Sequence, residues 1–198
     1  NPWNGKHSTI LHTLSQMTVC DSFGARGLVI HLPKMEPEKI VLGVVNLLNL
    51  ARGKGKKCKI ILEMKALKSH ETMSYESPVK INNLIFLLMQ EKISPNDVGI
   101  CIDTAHIYAG RADIISKKSA EKYINGLKYI QFICLIHLNG NEYDCKKRAG
   151  DKHAVPFDRK DAIWKDVPYE KSGCKVFVDF CQAKKIDFIL EVKEHHTT

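Results

Sequence analysis

Five residues able to bind a divalent cation each stand directly after a short apolar run: His31 after Leu28-Val29-Ile30, Glu63 after Ile60-Ile61-Leu62, Asp103 after Ile100-Cys101-Ile102, His137 after Cys134-Leu135-Ile136, and Glu191 after Phe188-Ile189-Leu190. Two further pairs extend the set. In Asp103-Thr104-Ala105-His106 a carboxylate and an imidazole are three residues apart, near enough to serve one site or two adjacent ions. Asp151-Lys152-His153 lies in a long polar loop, where an extended backbone points both outer side chains the same way. The eight candidate ligands are all oxygen or imidazole donors, a set that suits zinc or manganese, and shared carboxylates would hold two or three ions. Taken singly, each has a plainer reading: a strand-end His or Glu caps a loop or pairs with a surface Lys, and D-x-H is commonest in a solvated turn. The argument rests on their convergence.

Convergence needs a scaffold, and the sequence supplies one. The apolar runs are short, near-continuous and rich in β-branched residues, as in strands of a parallel sheet buried on both faces. Between them lie amphipathic stretches of helical length. Met35-Glu36-Pro37-Glu38 opens one whose apolar positions are Ile40, Val41, Val44, Val45, Leu47 and Leu48 and which Gly53 ends. Ser77-Pro78 opens another, through Ile81, Leu84, Ile85, Leu87 and Leu88 to about Lys92. Further helices are expected at Ser8–Phe23, Ser119–Tyr129 and Tyr169–Lys184. This alternation predicts an α/β protein with right-handed crossovers, either an open doubly wound sheet or part of a (β/α)8 barrel. No G-x-G-x-x-G or P-loop follows a strand, which weakens the nucleotide-binding sheets. In a barrel all strand ends open on the face where active sites are built.

With 198 residues, 44% apolar and 26% charged, the chain has a globular composition, and its net charge of +8 favours polyanionic partners. The longest apolar run, Ile40 to Ala51, is broken by Asn46 and Asn49 and is too short to span a bilayer. Seven cysteines without a C-x-x-C pair read as reduced intracellular thiols, so any metal must use His and carboxylate.

The segments Val98-Gly99-Ile100-Cys101-Ile102-Asp103-Thr104-Ala105-His106, Ile136-His137-Leu138-Asn139, Ile189-Leu190-Glu191 and Val29-Ile30-His31-Leu32-Pro33 resemble, in order and spacing, the endonuclease IV family of apurinic/apyrimidinic (AP) endonucleases. The likeness is strongest to the branch carried by large DNA viruses such as African swine fever virus, and it runs from about Asn1 to Glu191. It implies a (β/α)8 TIM barrel with three zinc ions. His31 would bind the first ion, with Glu63 bridging the first and second; Asp103, His137 and Glu191 would complete the second; His106, Asp151 and His153 would hold the third. A further His, from an H-x-x-Y-L segment, is expected upstream of Asn1. The 198 residues are accordingly expected to be a partial barrel domain, about five of eight strands, with the first three upstream. The family's E-N-T-A-G-Q-G is here Glu63-Met64-Lys65-Ala66-Leu67-Lys68-Ser69, its H-P-G-S-H is His31-Leu32-Pro33-Lys34-Met35, and its D-R-H is Asp151-Lys152-His153. Lys152 keeps the charge of that Arg but not its bidentate phosphate geometry.

The activity implied is zinc-dependent hydrolysis of the phosphodiester 5′ of an abasic site in duplex DNA, leaving a 3′-hydroxyl, by a monomer inside the cell; a viral protein would work in the host cytoplasm, nucleus or virion. Glu63 is the expected catalytic residue. Phosphate contacts are expected from Lys34, Lys65, Lys68, Arg111, Lys146, Lys147, Arg148 and Lys152, whereas Lys54, Lys56 and Lys57 complement a helix end, Tyr108 and Trp164 pack, and His70, His195 and His196 have no role. Two rivals stand beside this reading. A xylose-isomerase-like sugar isomerase would use Glu63, Asp103, His137 and Glu191 with one or two manganese ions but has no need of His106, Asp151 and His153. A non-catalytic DNA-binding fragment is the other.

Overall fold

The computed structural model describes Trp3 and residues 7–67, 75–147 and 150–191. Helix α1 (His7–Phe23) leads to strand β1 (Leu28–His31), α2 (Pro37–Gly53) to β2 (Ile60–Glu63), and α3 (Pro78–Gln90) to β3 (Val98–Asp103). Local chemistry accounts for the helix starts. Pro37 and Glu38 occupy the first turn of α2, whose buried residues Ile40, Val41, Val44, Leu47, Leu48 and Ala51 form one stripe against the sheet. Ser77 caps α3 by accepting from the Lys80 amide, and Pro78 follows it.

Beyond β3 the chain departs from expectation in four places. A short helix, α4 (Thr104–Ala109), starts directly from the strand end because Asp103 caps it. Helix α5 runs Lys117–Asn125 rather than Ser119–Tyr129: Ser116 and Ser119 form a capping box at its start, and Gly126 ends it. There Asn82 donates from Nδ2 to the Gly126 carbonyl (2.8 Å) and accepts from the Lys128 amide (2.9 Å), holding the chain out of the helix. A 3-10 turn (Ile130–Phe132) then enters β4 (Ile133–His137). The polar segment after β4 contains a two-stranded antiparallel pair, β5 (Gly140–Asn141) and β6 (His153–Ala154). Finally, the expected helix Tyr169–Lys184 divides into a 3-10 turn (Tyr169–Lys171) and α6 (Gly173–Lys184), since Ser172 caps α6 on the Lys175 amide, and β7 (Asp187–Ile189) follows.

The main sheet has the order β1-β2-β3-β4-β7, and every pairing is parallel. Each strand joins the edge next to its predecessor. A doubly wound sheet reverses its order at a switch point; this one does not, which is the order of a β/α barrel wall. Laid flat, five strands spaced by about 4.8 Å would hold β1 and β7 roughly 19 Å apart. Arg26, just before β1, nevertheless ion-pairs with Asp187 at the start of β7, so the sheet is curled. Its concave side holds a cavity of about 630 Å³ toward the amino ends of the strands, lined by Val29, Ile61 and Leu135 and carrying none of the candidate ligands.

One irregularity decides where the ligands point. The register between β3 and β4 shifts between Ile100 and Cys101, which pair with Ile133 and Leu135 and leave Cys134 as an extra residue. Without that bulge His137 would fall on the other side of the sheet, because a one-residue slip exchanges the faces. The extra side chain needs room: a Cβ on Gly99 would lie 2.2 Å from the Cys134 sulfur. Gly99 is required here for space rather than for backbone freedom.

Trp3 is buried, donates from Nε1 to the His31 carbonyl (3.2 Å), and lies over Gly43 of α2. Trp164, fully buried, donates to the Ile114 carbonyl (3.0 Å) on the other side of the domain. None of the seven cysteines is in a disulfide. Among the described residues no helix is long and apolar enough to cross a membrane.

Candidate metal centre

Register alone brings four of the strand ends together. His31 lies opposite Glu63 and Asp103 opposite His137. Glu63 is 3% exposed and faces His31 Nε2 at 3.4 Å, His106 Nδ1 at 3.4 Å and His137 Nδ1 at 3.1 Å. Glu191, just past β7, reaches the same His137 nitrogen at 3.2 Å, and Asp103 Oδ2 lies 3.5 Å from it. Three carboxylates thus surround one imidazole nitrogen. A single ring proton satisfies one of them, whereas a divalent cation satisfies all. One donor atom from each of Glu63, Asp103, His137 and Glu191 lies within 4.8 Å of the others. The far nitrogen of His137, Nε2, is buried without a hydrogen-bond partner.

The second assembly is supplied by α4 and the β5–β6 pair. His106 Nδ1 is 2.6 Å from the Met64 carbonyl and His153 Nδ1 is 2.7 Å from the Glu191 carbonyl. A carbonyl only accepts, so each Nδ1 carries the hydrogen, and in the neutral rings each Nε2 is a bare acceptor. Those two Nε2 atoms face each other at 3.3 Å, with Asp151 Oδ1 at 3.4 Å from one and 3.2 Å from the other. Three acceptors converge with no donor among them. Either a ring takes up a second proton or a cation sits between them, and the donor set is the one expected for zinc. Two further donor groups, His31 with Glu63 and His106, and Asp103 with His106 and His153, meet the same 4.8 Å condition. Glu63, Asp103 and His106 each serve more than one group, so the eight predicted ligands form one continuous cluster.

The electrostatics agree with that geometry. Burial opposes charge on His137, but Asp103, Cys101 and Glu63 outweigh it and push its pKa up to about 12. Burial likewise opposes charge on His153, and Asp151 with Asp103 pushes it up to about 9. His106 is also raised: its burial works against the shift, while Asp151, Asp103 and Glu63 impose it. Asp151 is held far below the carboxylate range by its contacts with His106 and His153. Burial pushes Asp103 toward the neutral acid, yet His137, His106 and His153 bring it below its ordinary value. The carboxylates favour positive charge among them, which a ring proton or a cation equally supplies.

The described residues expected to contact phosphate lie in segments that follow β1, β2, β3 and β4 in the chain. Lys34, Lys65, Arg111, Lys146 and Lys147 are exposed. Lys152 ion-pairs with Glu142 and lies over the Tyr143 ring, 5.8 Å from its centre. Lys68 and Arg148 lie outside the described residues, as do His70, His195 and His196. Tyr108 and Trp164 are buried, as packing residues should be.

Three buried polar residues around the cluster are given no role by the sequence, although Asn139 ends the Ile136-His137-Leu138-Asn139 motif. Asn139 donates from Nδ2 to Asp103 Oδ2 (2.8 Å) and accepts at Oδ1 from the Glu191 amide (2.8 Å). Asn141 donates from Nδ2 to the carbonyls of Ala105 (3.3 Å) and Gly150 (3.0 Å) and accepts from the Tyr143 amide (2.8 Å). Asp161, fully buried, accepts from the amides of Asn141, Phe157, Ile163 and Trp164. For Asn139 and Asn141 the one sequence signal is a cluster of Asn and Gly directly behind a strand-end ligand, His137-Leu138-Asn139-Gly140-Asn141, and Asp161 has none.

Known proteins resemble this chain in sequence and in fold. No family model matches the chain. A probable AP endonuclease of African swine fever virus (isolate Warthog/Namibia/Wart80/1980) is 29% identical over 198 residues, which cover 96% of this chain and 63% of the viral protein. A probable endonuclease 4 of Thermosipho melanesiensis is 30% identical over 182 residues, covering 89% of this chain and 59% of the relative. Among solved structures, the crystal structure of AsfvAP:AG superposes with a TM-score of 0.82 at 28% identity, over 98% of this chain and 64% of that one. Endonuclease IV from Thermus thermophilus gives 0.69 at 20% identity over 94% of this chain and 62% of its own, a likeness of fold. The chain thus spans less than two thirds of the length of each relative. Along nearly all of its own length, in sequence and in its five-stranded part of a TIM barrel, it is similar to AP endonucleases of the endonuclease IV kind.

Proposed function

We propose that this chain carries the greater part of the active site of a zinc-dependent AP endonuclease, which cleaves duplex DNA 5′ of an abasic site and leaves a 3′-hydroxyl. The observation that carries the reading is the pair of imidazole nitrogens facing each other at 3.3 Å beside Asp151, continuous with the carboxylates around His137. A sugar isomerase has no use for the first of these assemblies. Up to three ions would be held, by His31 with Glu63, by Glu63, Asp103, His137 and Glu191, and by His106, Asp151 and His153. When bound, they supply a hydroxide nucleophile near neutral pH and offset charge on the phosphate and the departing oxygen.

Glu63 faces one histidine of each of these groups, His31, His137 and His106, and orients the nucleophile. The abasic nucleotide must leave the duplex to reach this end of the sheet, and a missing base lowers the cost. Lys34, Lys65, Arg111 and Lys147 then bind flanking phosphates, with Lys152 freed from Glu142 as a further contact. We place the protein inside cells, acting as a monomer.

The test is nicking of a duplex that holds one tetrahydrofuran abasic analogue, by the full-length protein, with and without chelator. Chelator-sensitive nicking immediately 5′ of the analogue is expected, and its absence overturns the reading. Glu63→Gln should bind that duplex and fail to nick it; full activity would remove Glu63 from the mechanism.

A further inference from the structure

Alternate residues of one short segment reach into different parts of the cluster. Asn139 and Asn141 are both buried, and each bridges two chain segments that carry ligands. Asn139 joins Asp103 at the end of β3 to the amide of Glu191 past β7, and its own amide donates to Thr104 Oγ1 (2.8 Å). Those contacts hold the group around His137, and they touch the second group only through Asp103, which also stands beside His106 and His153, and the Glu191 carbonyl, which accepts from His153 Nδ1. Asn141 instead ties the carbonyl of Ala105, next to His106, to that of Gly150, next to Asp151. It also pairs across β5–β6 with His153, and its amide is held by Asp161. Three of the segments it touches carry the facing imidazoles and Asp151.

We propose that Asn139 and Asn141 are positioning residues with divided duties: Asn139 sets Asp103 and Glu191 in the strand-end group, and Asn141 sets His106, Asp151 and His153 in the other. Neither amide offers a ligand atom to either group. Each acts by fixing the separation of segments that bear ligands, and such outer contacts commonly change metal affinity about 10–100-fold. Gly140 between them leaves no room for a third side chain, since a Cβ there would lie 2.7 Å from the Asp161 carboxylate. This division rests on the metal-site reading above.

The experiment measures zinc retained by the full-length protein against a graded competing chelator, for wild type, Asn139→Ala, Asn141→Ala and each of these combined with His153→Ala. Asn141→Ala should weaken one class of ion about 10–100-fold and add little in the His153→Ala background, where that class is already lost. Asn139→Ala should weaken chiefly a different class and remain nearly additive with His153→Ala, the residual coupling being carried by Asp103 and the Glu191 carbonyl. Equal weakening of all ions by either variant, or unchanged retention with only a lower melting temperature, overturns the division. Should an alanine variant fail to fold, Asn139→Ser or Asn141→Ser replaces it in the same comparison. Amide exchange on metal-free protein separates this inference from the function on which it rests. Even if wild type retains no zinc, Asn139→Ala must accelerate exchange at Glu191 and Asn141→Ala at Tyr143, each without the other, and loss of both protections together in either variant overturns it.

Discussion

The two halves of the cluster are built by different means. Around His137 all ligands but Glu191, just past β7, sit on the last residues of strands, and their positions follow from register: fix the pairings of β1, β2, β3 and β4 and those side chains have nowhere else to go. The group of His106, Asp151 and His153 hangs from a short helix and a two-residue strand pair, and side-chain hydrogen bonds from Asn141 and Asp161 do the positioning. A sheet holds geometry through many shared backbone bonds. Loops must be held by a few buried polar residues, each of which costs on the order of 1–3 kcal/mol when left without its partner. The first half should therefore fail with the fold, and the second should fail separately.

The largest expected effect comes from a residue shared by both halves. Glu63→Gln should lower nicking on the order of 10³-fold or more with the melting temperature near wild type; a small loss would mean the halves do not depend on this carboxylate. Next in size, Gly99→Ala forces a Cβ onto the Cys134 sulfur and should destabilise the fold by about 2 kcal/mol, measured by denaturant unfolding. It should disturb the strand-end ions first, so zinc loss confined to the loop group would break the comparison. Asp161→Ala strands buried amides and should cost about 2 kcal/mol, with zinc lost from the loop group while the strand-end ions stay.

Acidity offers a further probe. Without metal, His153 is raised in the fold to about 9 from an ordinary 6.5, so its stabilisation is complete below about pH 6.5 and fades as pH rises through 9. Asp151 and Asp103 are lowered, so their contribution is present above their ordinary 3.8 and is lost as pH falls below it. Metal-free protein should thus lose melting temperature between about pH 6.5 and 9. Zinc-loaded protein should not, because the ion displaces the same protons and binds more tightly as pH rises. Parallel curves for the two forms would show that these groups do not hold the metal. The smallest effect is at the rim, where Lys65→Ala should reduce the salt dependence of DNA binding by about one unit of slope and leave both groups of ions in place.

The same division governs what the sequence makes visible. Strand-end ligands are legible because an apolar run and the polar residue that stops it are neighbours in the chain. The β5–β6 pair, the roles of Asn139 and Asn141 and the bulge at Cys134 are not, because each depends on contacts made between distant segments. Helix α4 is hidden differently: Asp103 reads as a ligand, and the same carboxylate also caps a helix. Asp151 and His153 are recognisable as a pair, yet nothing near them announces that Asn141 and Asp161 hold the loop. The expected end of α5 at Tyr129 fails for a related reason, since the Asn82 side chain that draws the chain out of the helix comes from α3.

The placement of the two tryptophans has a practical outcome. Trp3 hydrogen-bonds to the backbone of a strand-end ligand, and the Trp164 amide is held by the same Asp161 carboxylate that steadies Asn141. The chain has no other indole. With Trp3→Phe, fluorescence reports the loop side through Trp164; with Trp164→Phe, it reports the strand side through Trp3. Stopped-flow mixing of each single-tryptophan protein with zinc then gives the order in which the two halves fill, using light the protein emits by itself.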